Sequence, residues 1–267
     1  MMKGGGMKQK RLIPWLLIFL FFYLPVGAWA SEITIYDNQS GNGDSYWRNL
    51  SEDEEVEPGA STAPGWDLEG MFYDNGHLSI VGEWNFLGTL SNIGSGDIFI
   101  STQGSVNYGQ DIGDDSTRTT VSNTFGYTYV FDVDWDGYDE AAGAGGYTLW
   151  QIDAATQVTT ARDLGNSNPA FYVGGPNDTQ VGTGTYHVTG DPTPESTGFV
   201  GDTHYTAYGF DLTLIEGFDH SFIAHFTQAC GNDVIMGQVP EPATMLLLGM
   251  GLLGTSAVCR KKYPKTP

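Results

Sequence analysis

Basic side chains are almost missing from the middle of this chain. No lysine occurs between residues 12 and 259, and only Arg48, Arg118 and Arg162 interrupt that stretch. This excludes a nucleic-acid surface, which needs clustered Lys and Arg to neutralise phosphates. It also excludes a phosphate-binding Gly-Lys loop. No window between the two ends keeps a 3.6-residue hydrophobic period, so no helix is predicted in the body. Signatures of catalysis are absent too. No G-x-S-x-G surrounds a serine, and no H-E-x-x-H occurs among His77, His187, His204, His220 and His225. In a strand, His220 and His225 point to opposite faces and do not share a metal.

What is present is acid, glycine and aromatic side chains. The 267 residues include 32 Asp and Glu, 37 Gly and 13% aromatics. Aromatics at that level exclude a disordered chain. Few Lys and Glu with many Gly, Thr, Tyr and Phe favour strands and turns. Residues 31–239 carry 31 acidic and 3 basic groups, a net of −28. The body is a polyanion, and the remaining basic residues sit at the two ends.

Period-two alternation marks the strands. Phe125, Tyr127, Tyr129, Phe131, Val133 and Trp135 share one face. Leu78, Ile80, Gly82, Trp84 and Phe86 share another, opposite His77, Ser79, Glu83 and Asn85. Tyr208, Phe210, Leu212 and Leu214 form a third set, and Phe222, Ala224, Phe226 and Cys230 a fourth. Shorter strands are predicted at Ile33–Tyr36, Trp66–Tyr73, Ile98–Thr102, Tyr147–Ile152 and Gly182–Val188. Turn clusters such as Asp74-Asn75-Gly76 and Gly174-Gly175-Pro176-Asn177-Asp178 separate them. The expectation is all-β, a single β-sandwich of jelly-roll type over 31–239. An acidic Pro/Gly-rich loop spans Ser51–Gly65, and a second Pro-containing loop spans Asp191–Glu195.

The N-terminus reads as a signal peptide over 1–30. Lys8, Lys10 and Arg11 precede the apolar run Leu12–Leu24, and Ala28 and Ala30 place cleavage before Ser31. The C-terminal segment, 240–267, has three parts in order: Pro240-Glu241-Pro242, the apolar span Thr244–Cys259, and Arg260-Lys261-Lys262. The span of 16 residues lies close to the lower limit for crossing a bilayer, about 17 residues, and the basic cluster should hold its end in the cytoplasm. This tripartite tail resembles the PEP-CTERM sorting signal of Gram-negative bacteria. The resemblance implies export through signal peptidase and the secretion machinery, then transient anchoring in the inner membrane. An exosortase-type membrane enzyme would process the tail near Pro240-Glu241-Pro242, releasing the protein to the outer surface or extracellular matrix. Carriers of such tails are typically made by bacteria that build exopolysaccharide and biofilm. On this topology Cys259 and Cys230 lie on opposite sides of the membrane and cannot pair. Cys230 is then a lone thiol in the exported body, read as a buried small hydrophobe.

One motif suggests a ligand. Asp132-Val133-Asp134-Trp135-Asp136-Gly137 matches the first half of a calcium loop, and Asp139 and Glu140 bring the carboxylates to five. The position of the bidentate Glu holds Gly143 instead. The competing reading is a solvated carboxylate row at a strand end. Asp111, Asp114 and Asp115 form a weaker cluster. Trp47, Trp66, Trp84, Trp135 and Trp150 offer sugar-stacking faces, though most alternate into the core; Tyr46 and Trp47 are the pair read as exposed. The functional expectation is a non-catalytic surface or matrix protein, structural or adhesive, with calcium as its cofactor. The alternatives are a carbohydrate-binding module for exopolysaccharide and a secreted glycan hydrolase.

Overall fold

The computed structural model describes residues 31–33, 64–88, 93–104, 106, 118–161, 168–191 and 203–239. These form thirteen strands and no α-helix. The strands are β1 (Ser31–Glu32), β2 (Leu68–Asp74), β3 (His77–Gly82), β4 (Ile98–Ser101), β5 (Thr120–Ser122), β6 (Tyr129–Asp139) and β7 (Ala144–Gln151). They continue with β8 (Gln157–Thr160), β9 (Pro169–Gly174), β10 (Thr179–Asp191), β11 (His204–Asp211), β12 (Phe222–Thr227) and β13 (Val234–Val239). The expected all-β body is present.

Its geometry differs from two facing sheets. Ten strands form one antiparallel sheet in the order β1-β2-β3-β11-β10-β7-β6-β4-β12-β13, and β5-β8-β9 form a small second sheet. The large sheet curls until its edges almost meet. Ile33, just after β1, donates its N–H to Met71 on one side and accepts from Gln238 N on the other, both at 2.9 Å. One residue therefore bridges β2 and β13 and pairs part of an edge that is otherwise a site for aggregation. At Gly237 the wall comes so close that an added Cβ would lie 2.7 Å from Ile33 Cγ1.

The curled sheet encloses an aromatic-rich core. Phe86, Phe131, Tyr186, Phe210 and Phe226 are buried there. Tyr186 stacks on Phe210 at 5.7 Å, and Trp135 meets Tyr186 edge-on at 4.8 Å. The predicted face Leu78, Ile80, Gly82, Trp84 and Phe86 is buried throughout. Cys230 is buried in the same core.

The small sheet lies on the outside of the wall. A second cluster of Phe99, Phe125, Tyr127, Val130, Ile152 and Val158 joins the two layers. Strands β4 and β12 are consequently buried on both faces. The alternation read in β12 from Phe222, Ala224 and Phe226 is therefore not matched by exposure of the opposite face, because the strand is covered on both sides.

Two local departures from the predicted pattern have clear causes. A register shift between Tyr208 and Phe210 falls at Gly209, whose φ is 101°. The irregularity keeps Phe210 inside and turns Tyr208 out to 39% exposure. The strand predicted to reach Leu214 stops at Asp211, whose carboxylate accepts from Thr213 N at 2.8 Å and caps a 3-10 turn over Leu212–Leu214.

The two ends of the rolled sheet differ in chemistry. Asp233, just before β13, accepts from Leu68 N at the start of β2, while Gln238 is bridged to Met71. Strands β2 and β13 therefore run the same way. The starts of β2, β11 and β13 and the end of β3 share one end of the sheet. Ser31, the β2–β3 turn and Val239 share the other, from which the sorting tail departs.

Candidate functional site

The end away from the tail concentrates buried polar groups. Asp67, Glu69, Glu83, His204, Gln228 and Asp233 are each at most 5% exposed. The backbone explains why they meet. Gly82 of β3 pairs with Leu68 of β2 on one side and with Tyr205 of β11 on the other. One step further along, Glu83 and His204 lie opposite each other in the same register. Glu69 falls between Leu68 and Gly70, where the β2–β3 register shifts. A bulge of this kind re-aims a side chain relative to plain alternation.

The result is a tight mixed cluster. One ligand atom from each of Glu69, Glu83 and His204 lies within 4.8 Å of the others. His204 Nε2 is 3.0 Å from Glu69 Oε1. The surroundings are rigid. Trp84 N donates to the Asp67 carbonyl at 3.2 Å. Asp233 Oδ2 accepts from Leu68 N at 2.6 Å, and Gln228 Nε2 donates to the Trp66 carbonyl at 2.5 Å. Trp66 stacks on Trp84 at 5.2 Å, and Trp84 Nε1 donates to Ser95 Oγ at 2.9 Å. Trp66 and Trp84 therefore serve packing, not an open sugar platform.

The carboxylates singled out in the sequence sit elsewhere, along β6 and its turn into β7. Asp132 is half-buried, and its Oδ2 accepts from Trp150 Nε1 at 3.3 Å. Burial pushes its carboxyl pKa up, with the Asp134 charge adding to the effect and the Trp150 bond opposing it. Asp134 is exposed and accepts from Gly137 N at 2.9 Å. Asp139 Oδ1 accepts from Ala141 N and Ala142 N, at 2.8 and 3.1 Å, and so shapes the hairpin turn. Asp136 and Glu140 are exposed. Asp132, Asp134, Asp136 and Asp139 lie along β6, and Glu140 lies in the turn after it. Among the described residues, the three-donor cluster is the one at Glu69, Glu83 and His204.

Glu69, Glu83 and His204 are not recognisable as a set in the sequence. Glu83 alternates opposite the core face and reads as outward-pointing. The weak signal is carboxylates placed beside tryptophans, as in Trp66-Asp67-Leu68-Glu69 and Glu83-Trp84. His220 and His225 are separated, though not by alternation along one strand: His225 is buried in β12, while His220 precedes it at φ 66°, exposed and bonded to the Tyr73 hydroxyl.

Several sequence expectations lie outside the described residues. They are the signal peptide through Ala28 and Ala30, Tyr46 and Trp47, the Asp111–Asp115 cluster, and the tail with Pro240, Glu241, Pro242, Arg260, Lys261 and Lys262. Ser31, the residue after the expected cleavage, opens β1. Among the described residues no helix is long and apolar enough to cross a membrane.

The all-β body and its acidic composition assign no destination by themselves; the tail does. The family model for the PEP-CTERM protein-sorting motif matches residues 238–262. The chain thus carries that motif, which marks an exported protein with a C-terminal membrane-associated sorting signal processed by an exosortase-type enzyme. The motif begins two residues before Pro240, so Gln238 and Val239 belong both to it and to β13. No curated protein and no solved structure matches the chain.

Proposed function

We propose that residues 31–239 act, once sorted, as a non-catalytic structural or adhesive component of the outer surface or biofilm matrix. The observation that carries this reading is the joining of a sorting motif to the closing strand of a lysine-free, polyanionic β-body. Such a surface attracts divalent cations. In this reading calcium bridges the exposed carboxylates of Asp134, Asp136, Asp139 and Glu140, with the half-buried Asp132 beside them, to other anionic polymers. Binding to exopolysaccharide through aromatic and polar side chains is the alternative, and glycan hydrolysis a weaker one.

The test is extraction. Intact matrix from producing cells is washed with chelator or with magnesium at matched ionic strength. Calcium bridging predicts release by chelator alone and weaker retention of an Asp134→Ala, Asp136→Ala variant. Retention on purified polysaccharide in chelator would move the assignment to glycan binding. Turnover of that polysaccharide would move it to hydrolysis.

A further inference from the structure

The buried cluster at the far end of the sheet is chemically unlike the exposed carboxylate row. We propose that Glu69, Glu83 and His204 form a site for a first-row transition metal of the zinc class. Two donors held by one ion at about 2.1 Å lie roughly 3.0–4.2 Å apart. The separations here, 3.0 Å between His204 and Glu69 and all three within 4.8 Å, need only small side-chain movements to reach that geometry. Two carboxylates with one imidazole suit zinc, and calcium instead wants six to eight oxygens.

The placement is as specific as the donor set. The three residues come from or adjoin neighbouring strands β2, β3 and β11, pinned to one another through Gly82. Donors on paired strands are held more precisely than donors on a loop. The Leu68 backbone, beside Glu69, is tied to the Asp233 carboxylate, and the Glu83–Trp84 backbone to the Asp67 carbonyl. Such outer contacts orient the ligands. Independently, the net charge of −28 on residues 31–239 raises the local concentration of cations around the domain.

The full chain, purified in detergent and stripped with chelator, is loaded with zinc chloride, desalted and assayed for bound metal. Its thermal melt is recorded with and without zinc. One zinc per chain is expected, with the midpoint raised by about 5 °C or more. Glu83→Gln, which preserves shape, should cut retained zinc about tenfold or more, and His204→Gln likewise. Asp134→Ala, in the exposed hairpin, should bind zinc like the parent and report only on the calcium reading. A cooperatively melting parent that retains no zinc overturns the site, leaving a buried His–Glu pair. Parent-like zinc retention by a folded Glu83→Gln variant overturns it equally. If His204→Gln fails to fold, the Glu83→Gln comparison decides.

Discussion

Two buried titratable side chains work against each other. His225 is enclosed between Phe99 and Tyr127, with Nε2 donating to the Pro169 carbonyl at 3.0 Å. Burial holds its pKa down at about 4. The folded state thus binds this proton less readily than the unfolded chain, and stability falls as pH drops from about 6.5 toward 4. Asp97 is buried between the layers. Its Oδ1 accepts from Val133 N at 3.0 Å and its Oδ2 from Tyr172 N at 2.8 Å, tying β6 to β9. Burial pushes its pKa up to about 7, the two N–H donors opposing and the Asp132 charge assisting. That contribution has the opposite sign: it is lost as pH rises from about 4 to 7. Denaturant melts across this range should therefore differ from wild type in opposite directions. His225→Gln should lose stability more steeply with rising pH, and Asp97→Asn more steeply with falling pH, each by up to about 1.4 kcal/mol per unit. Parallel profiles would refute the assignment. Neither residue is conspicuous in the sequence: His225 alternates opposite Phe222, Ala224 and Phe226, and Asp97 precedes the strand predicted from Ile98. They are buried because the β5-β8-β9 sheet covers that side of the wall.

At the level of elements, the seam between β2 and β13 is closed at one end by the Asp233 carboxylate on Leu68 N and further along by Ile33. Ile33 sits between Met71 and Gln238, with Gly237 leaving room for it. Gly237→Ala should force Ile33 away and lower the melting midpoint by roughly 4–8 °C, from about 2 kcal/mol of overpacking. Adding Ile33→Ala should recover part of that loss, because it removes the two side-chain atoms in conflict. Strict additivity in this double-mutant cycle would show that the clash is not with the Ile33 side chain. Strands β3, β6 and β7 are legible because their large apolar residues, Leu78 and Ile80, Phe131 and Val133, Tyr147 and Leu149, recur at every second position on the core face. Strands β5, β8 and β9 are not: they are short, threonine-containing or aromatic, and earn their place by lying on another sheet. The Gly209 bulge is a similar case. Its glycine is visible, but the shift that exposes Tyr208 depends on pairing with β3.

For the molecule as a whole, the sorting motif and the fold share a strand. Gln238 and Val239 lie in β13, so the sorting motif begins within the last strand of the wall. Replacing Arg260, Lys261 and Lys262 by alanine removes the charges expected to set the tail's orientation. Cell fractionation should then show an unprocessed precursor building up at the expense of the surface or released form; unchanged processing would mean the basic cluster is dispensable. The sequence by itself determined the class of the body, its polyanionic surface and its sorting tail. Those properties follow from composition and from local order along the chain, which need no tertiary contacts. Tertiary structure alone decided that the sheet closes through Ile33, that a second layer buries Asp97 and His225, and that Glu69, Glu83 and His204 converge. Each depends on residues far apart in sequence being paired in register, and a glutamate that alternates toward solvent in one strand reveals nothing of the histidine on the next.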